Sequence, residues 1–95
     1  MKHDIILPKP LYEGNVSVEY ALKQRRSVRR FSKMAISLQE LSQILWAGSG
    51  ISQGSFRTAP SAGATYPLNC YVAAGNVEEL EKGVYWYIVK NHGLK

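Results

Sequence analysis

Ser37-Leu38-Gln39-Glu40 constrains the fold of this chain more than any other stretch in it. A serine followed three residues later by glutamate is a capping box: each side chain satisfies a backbone N–H that the first helical turn leaves free. Leu38, Leu41, Ile44 and Leu45 then recur at helical spacing, so the helix has one apolar face. Gly48 and Gly50 predict its end. Trp46 lies beside the apolar stripe and reads as core packing. A helix of this kind must lay its apolar face on another element. Two stretches can supply that surface as strands. One is Leu68-Asn69-Cys70-Tyr71-Val72-Ala73-Ala74. The other is Gly83-Val84-Tyr85-Trp86-Tyr87-Ile88-Val89, rich in aromatic and β-branched residues. The expected class is α+β, with helices packed on a small sheet.

The remaining elements follow from turn and cap chemistry. Residues 1–16 read as an extended arm, because Pro8 and Pro10 exclude a helix and Ile5-Ile6-Leu7 gives the arm an apolar patch. That patch has to lie on the body of the chain or on a partner. Ser17 predicts an N-cap with Glu19 in the first turn, so a first helix runs to about Arg26. Residues 77–82 suggest one short helical turn. Asn91-His92-Gly93 reads as a turn leading into Leu94-Lys95, the start of a further strand whose edge would be unpaired. His92 is read as a turn residue rather than a catalyst, and His3 sits in the arm. Residues 51–67 form a long loop dense in Gly, Pro and small side chains.

Charge is distributed unevenly. The net charge is +5, and half of the twelve basic residues fall between Lys23 and Lys33. No acid lies between Glu19 and Glu40. Within that window, Arg25-Arg26-Ser27-Val28-Arg29-Arg30 combines four guanidinium forks with a hydroxyl, the donor set that suits phosphate oxygens. Composition alone favours a solvated helix C-terminus, where cations are stabilised by the helix dipole. Position argues for a site. Val18, Ala21 and Leu22 form a stripe expected to be buried, and Arg25 is the next residue on it. Along an extended chain Ser27 and Arg29 then share one side, opposite Val28 and Arg30. Arg25, Ser27 and Arg29 can thus converge on one anion.

Other chemistries are poorly served. Cys70 is alone, so neither an intrachain disulfide nor a zinc spacing exists, which fits a reducing compartment. Cys70 itself reads as a packed small hydrophobe. No run approaches the roughly 20 apolar residues of a membrane span, and the expectation is a cytoplasmic protein.

The Arg-x-Ser-x-Arg segment after one helix and Arg57-Thr58-Ala59-Pro60-Ser61-Ala62-Gly63 after the next occur in one chain with Tyr66-Pro67 and Gly83-Val84-Tyr85. Ile36-Ser37-Leu38, Glu40-Leu41, Leu45-Trp46 and the Leu7-Pro8 arm complete the set. This combination resembles the FMN-dependent nitroreductase family, and within it the SagB-type dehydrogenase branch. The resemblance implies a nitroreductase-like α+β fold, of which residues 17–95 are the N-terminal portion and so an incomplete half of the usual domain. It implies FMN at the interface of a homodimer. Arg25, Ser27 and Arg29 would hold the phosphate and ribityl chain, with Arg26 contributing through its backbone. Pro60, Ser61, Ala62 and Gly63 would lie against the isoalloxazine ring. It also implies two-electron chemistry with a nicotinamide cofactor, on a small molecule or a peptide. Family chains are longer, and residue 95 falls where their later half begins. A complementing chain is therefore an alternative to a self-sufficient homodimer, and no catalytic residue carries over.

Two other readings belong to different classes. One is a non-catalytic remnant or assembly subunit that keeps the shape. The other is a small basic nucleic-acid binder, which the aromatics and arginines together would suit. Tyr85, Trp86 and Tyr87 lie far in sequence from the arginines, which argues against nucleic acid as the partner.

Overall fold

A computed structural model describes residues 4–59 and 68–95. The elements run β1 (Ile5–Ile6), α1 (Val18–Gln24), α2 (Leu38–Ser49), β2 (Ile51–Gln53), β3 (Phe56–Arg57), β4 (Tyr71–Ala74), β5 (Gly83–Ile88), a 3-10 turn (Val89–Asn91) and β6 (Gly93–Leu94). The capping box forms as the sequence predicts. Ser37 Oγ accepts from the Glu40 N–H at 3.0 Å, and Glu40 Oε1 accepts from the Ser37 N–H at 2.8 Å. The helix stops where Gly50, its C-cap, donates its N–H to Trp46 O.

The main sheet has the order β1-β6-β5-β4, antiparallel throughout. Period-two alternation sorts β5: Tyr85 and Tyr87 turn inward, while Val84 and Trp86 are exposed. Tyr87 pairs with Leu94, which pairs in turn with Ile5. Leu41 and Leu45 of α2 complete the core with Leu7, Tyr87 and Leu94. The apolar face of α2 therefore rests on the inner face of the sheet, as its periodicity requires.

The arm lies on its own chain. Beyond β1 its backbone is held by one polar face of α2, from residues at i, i+3 and i+4. Gln39 Nε2 donates to Lys9 O at 3.1 Å, Ser42 Oγ donates to Pro8 O, and Gln43 makes a two-way pair with Leu11 at 2.7 and 2.8 Å. Prolines 8 and 10 have no N–H of their own, so helix side chains replace the ladder a strand would have made.

Five expectations are corrected. First, β6 is interior to the sheet, flanked by β1 and β5, rather than an unpaired edge. Second, residues 51–57 are not loop but the β2–β3 hairpin, turning at Gly54 with φ +59°. Third, residues 77–82 form no helix. Val77 bridges to Ile36 and to Leu80, and Glu79 takes a left-handed φ of 65°. A single turn has too few hydrogen bonds to offset its nucleation cost, and pairing with residue 36 wins. Fourth, α1 buries no residue, and Val18 is 72% exposed. Among the described residues, helix packing on the sheet is thus the work of α2. Fifth, Ile44 is exposed, and Trp46 is half-buried on the rim of a cavity rather than in the core.

Candidate functional site: an arginine cradle and an enclosed histidine

Ser17 caps α1 by accepting the Tyr20 N–H at 3.1 Å. The helix ends at Arg25, whose ψ of 128° turns the chain into extended backbone while its N–H still reaches Ala21 O. The arginines therefore begin where the helix stops. Residues 25–31 continue without helix or strand and are exposed throughout. Arg25, Arg26, Ser27 and Arg29 are brought together on this short segment, open to solvent. The stripe expected to be buried and to deliver Arg25 is not buried among the described residues: Leu22 is 70% exposed. Packing of α1 on the described residues therefore does not support the arginines.

The other half of the expected site, Pro60, Ser61, Ala62 and Gly63, lies outside the described residues. Its leading edge is fixed to the end of α2. Thr58 donates its N–H to Gly50 O at 2.9 Å and its hydroxyl to Trp46 O at 3.1 Å, and Arg57 Nε donates to Ser49 O at 3.0 Å. Cys70 on the trailing side is a free, half-buried thiol packed against the core, as its reading as a small hydrophobe requires.

Sequence reasoning missed a buried polar cluster. His92 occupies a left-handed turn position, φ 50°, as a turn residue does, yet its ring is engaged on both sides. Nε2 is 2.7 Å from Ser42 Oγ and 3.2 Å from Pro8 O, and Nδ1 is 2.7 Å from the Tyr87 hydroxyl. Ser42 has no exposed surface. The one available signal was a serine among the leucines of the α2 stripe, which has to find a partner once buried. Its partners lie too far along the chain for any local pattern to reveal them. Burial lowers the His92 pKa, opposed in part by the Pro8 carbonyl. Burial likewise raises that of Tyr87. A cavity of about 450 Å³ opens beside the cluster, walled by Leu7, Lys9 and Tyr12 of the arm, by Trp46, and by Tyr87 and His92. Among the described residues, no group of His, Cys, Asp and Glu can hold a metal ion. No helix there is long and apolar enough to cross a membrane.

Residues 22–88 match the sequence profile of the nitroreductase family. The chain belongs to the nitroreductase family. A protein of Methanocaldococcus jannaschii named "putative nitroreductase" is 45% identical over 80 residues, covering 83% of this chain and 40% of that protein. The crystal structure of a protein given the same name, from Ralstonia eutropha JMP134, superposes with a TM-score of 0.84 at 32% identity, covering 99% of this chain and 43% of that one. The nitroreductase-like fold is thereby shown. The chain spans about two fifths of the length of each of these nitroreductase-family relatives.

Proposed function

We propose that this chain is the N-terminal portion of an FMN-binding oxidoreductase of the SagB-type branch, with residues 1–16 as its arm and 17–95 as its share of the catalytic domain. One observation carries the reading. The acid-free window places Arg25, Arg26, Ser27 and Arg29 together, solvent-facing, where α1 ends. That donor set fits a phosphate. FMN, when bound, supplies the two-electron chemistry. The chain's own tasks are binding and positioning. Arg25, Ser27 and Arg29 grip the phosphate and ribityl end, and Arg26 adds a backbone N–H. Pro60, Ser61, Ala62 and Gly63 provide a low surface for the ring, because small side chains let a flat ligand approach the backbone. The electron donor is a nicotinamide cofactor, and the substrate a small molecule or a peptide.

The exposed apolar residues of the same region support assembly with a second copy or a complementing chain. Val18, Leu22, Phe31 and Met34 are 70–82% exposed, large apolar side chains of the kind a partner surface covers. Visible absorbance of the purified protein tests the reading, followed by FMN titration. Each charge-assisted hydrogen bond contributes about 1.5–3 kcal/mol, so Arg25→Ala is expected to weaken FMN binding roughly tenfold or more. Arg30→Ala should have a smaller effect. Superimposable titrations of wild type and Arg25→Ala would remove Arg25 from the cradle. A colourless protein that takes up no FMN would favour the non-catalytic remnant.

A further inference from the structure

We propose that neutral His92 is a proton-sensitive latch that holds the N-terminal segment on α2, so that acidification frees residues 7–12 and opens the cavity they wall. Three separate elements meet at this one ring: the arm through Pro8, α2 through Ser42 and β5 through Tyr87. The backbone joins in, since His92 O accepts the Leu7 N–H at 3.2 Å.

The protons can be assigned. A prolyl carbonyl only accepts, so Ser42 gives its single proton to Pro8 O and accepts from His92 Nε2–H. Nδ1 is then the acceptor for the Tyr87 hydroxyl. Every polar atom is satisfied with the imidazole neutral and protonated at Nε2 only. A second proton on Nδ1 breaks this pattern. Two donors then face each other across 2.7 Å, and the Tyr87 hydroxyl must turn its hydrogen elsewhere on a side chain only 2% exposed.

The surroundings do not favour the imidazolium. The cavity beside His92 is lined by Lys9 and Tyr12 from the arm, Lys90 from the 3-10 turn and Tyr87 from β5, and by no carboxylate. The α2 group facing it is the uncharged Ser42. Tyr87 is itself near Cys70 and Arg57. Burial lowers the His92 pKa, so the proton enters below the ordinary histidine range.

Amide hydrogen exchange tests this on the full chain between pH 8 and 5, corrected for intrinsic exchange. The Leu7 and Leu11 N–H groups report the arm, and the Val72 and Tyr87 N–H groups report the β4–β5 body. Arm protection is expected to fall about tenfold or more in one step centred below about pH 6.5, with the body still protected. His92→Asn, which tolerates the left-handed backbone but cannot ionise, should abolish the step. Tyr87→Phe removes the clashing donor and should move the step upward in pH. His3→Gln, altering the chain's only other histidine, should leave it in place. Flat arm protection in the wild type overturns the latch. So does an unchanged step in His92→Asn, or simultaneous loss of protection in arm and body.

Discussion

Ser42 shows how much one hydroxyl can decide. It has no exposed surface and touches both the arm and His92. Ser42→Ala leaves the Pro8 carbonyl without its hydroxyl partner and weakens the hold on Nε2–H. The expected loss is about 1–3 kcal/mol in urea unfolding, the usual penalty for stranding a buried polar group. Tyr87 gives a complementary test at alkaline pH. Its folded pKa is raised by burial, whereas an unfolded tyrosine ionises near 10. Its contribution to stability is thus complete below about pH 10 and is lost as pH climbs from there toward the folded value. Tyr87→Phe should flatten that alkaline decline; an identical slope in the variant would assign it to other groups. At this scale the sequence was only partly informative. The turn at His92 was legible in Asn91-His92-Gly93. Its ring partners were not, because Ser42 and Pro8 reach it only through the tertiary fold.

At the scale of elements, locally specified features were readable and competitively specified ones were not. The capping box fixed α2, and a run rich in aromatic and β-branched residues fixed β5. The β2–β3 hairpin also had a local signal, Gly54-Ser55 between Gln53 and Phe56, which the small residues around it obscured. Residues 77–82 were decided elsewhere, by residues 33–36. Ile36 donates to Asn76 O at 3.2 Å and accepts from Glu78 N at 2.9 Å, while Asn76 Nδ2 donates to Lys33 O at 3.2 Å. The interior place of β6 depends on one glycine. A Cβ at Gly93 would stand 2.8 Å from the Ile5 carbonyl oxygen, on backbone that cannot swing aside. Gly93→Ala should push β1 off the sheet at a cost of about 1–3 kcal/mol. Exchange at Leu7 should rise while the β4–β5 amides stay protected. Unchanged protection at Leu7 would mean that β1 relaxes without detaching.

The molecule as a whole is broader than its length requires. Its radius of gyration is 14.7 Å, against about 12 Å for a compact chain of this size. The excess fits a region from α1 to Met34 whose apolar side chains are left exposed by the described residues. In sedimentation the chain should therefore run as a species larger than a monomer. Val18→Glu with Leu22→Glu should shift it toward monomer without unfolding α2 or the sheet, as followed by circular dichroism. A wild-type chain that sediments as a folded monomer and holds FMN stoichiometrically would sink the assembly reading. The cluster of basic residues was legible in the sequence at this scale because charge clustering needs no fold. The exposure of α1 was not, since its apolar face has no partner among the described residues.

The pairing of Ile5 with Leu94 has a consequence for synthesis. The ribosome delivers β1 long before β6, its sheet neighbour among the described residues. Contacts this remote in sequence form late and slow the search for the native state. Throughout elongation Ile5, Ile6 and Leu7 are an apolar strand segment awaiting a mate, the kind of edge that recruits neighbouring chains. Pro8 and Pro10 follow directly, and a segment that cannot donate hydrogen bonds at those positions is a poor template for cross-β growth. The two prolines that bar a helix from the arm also protect the nascent chain.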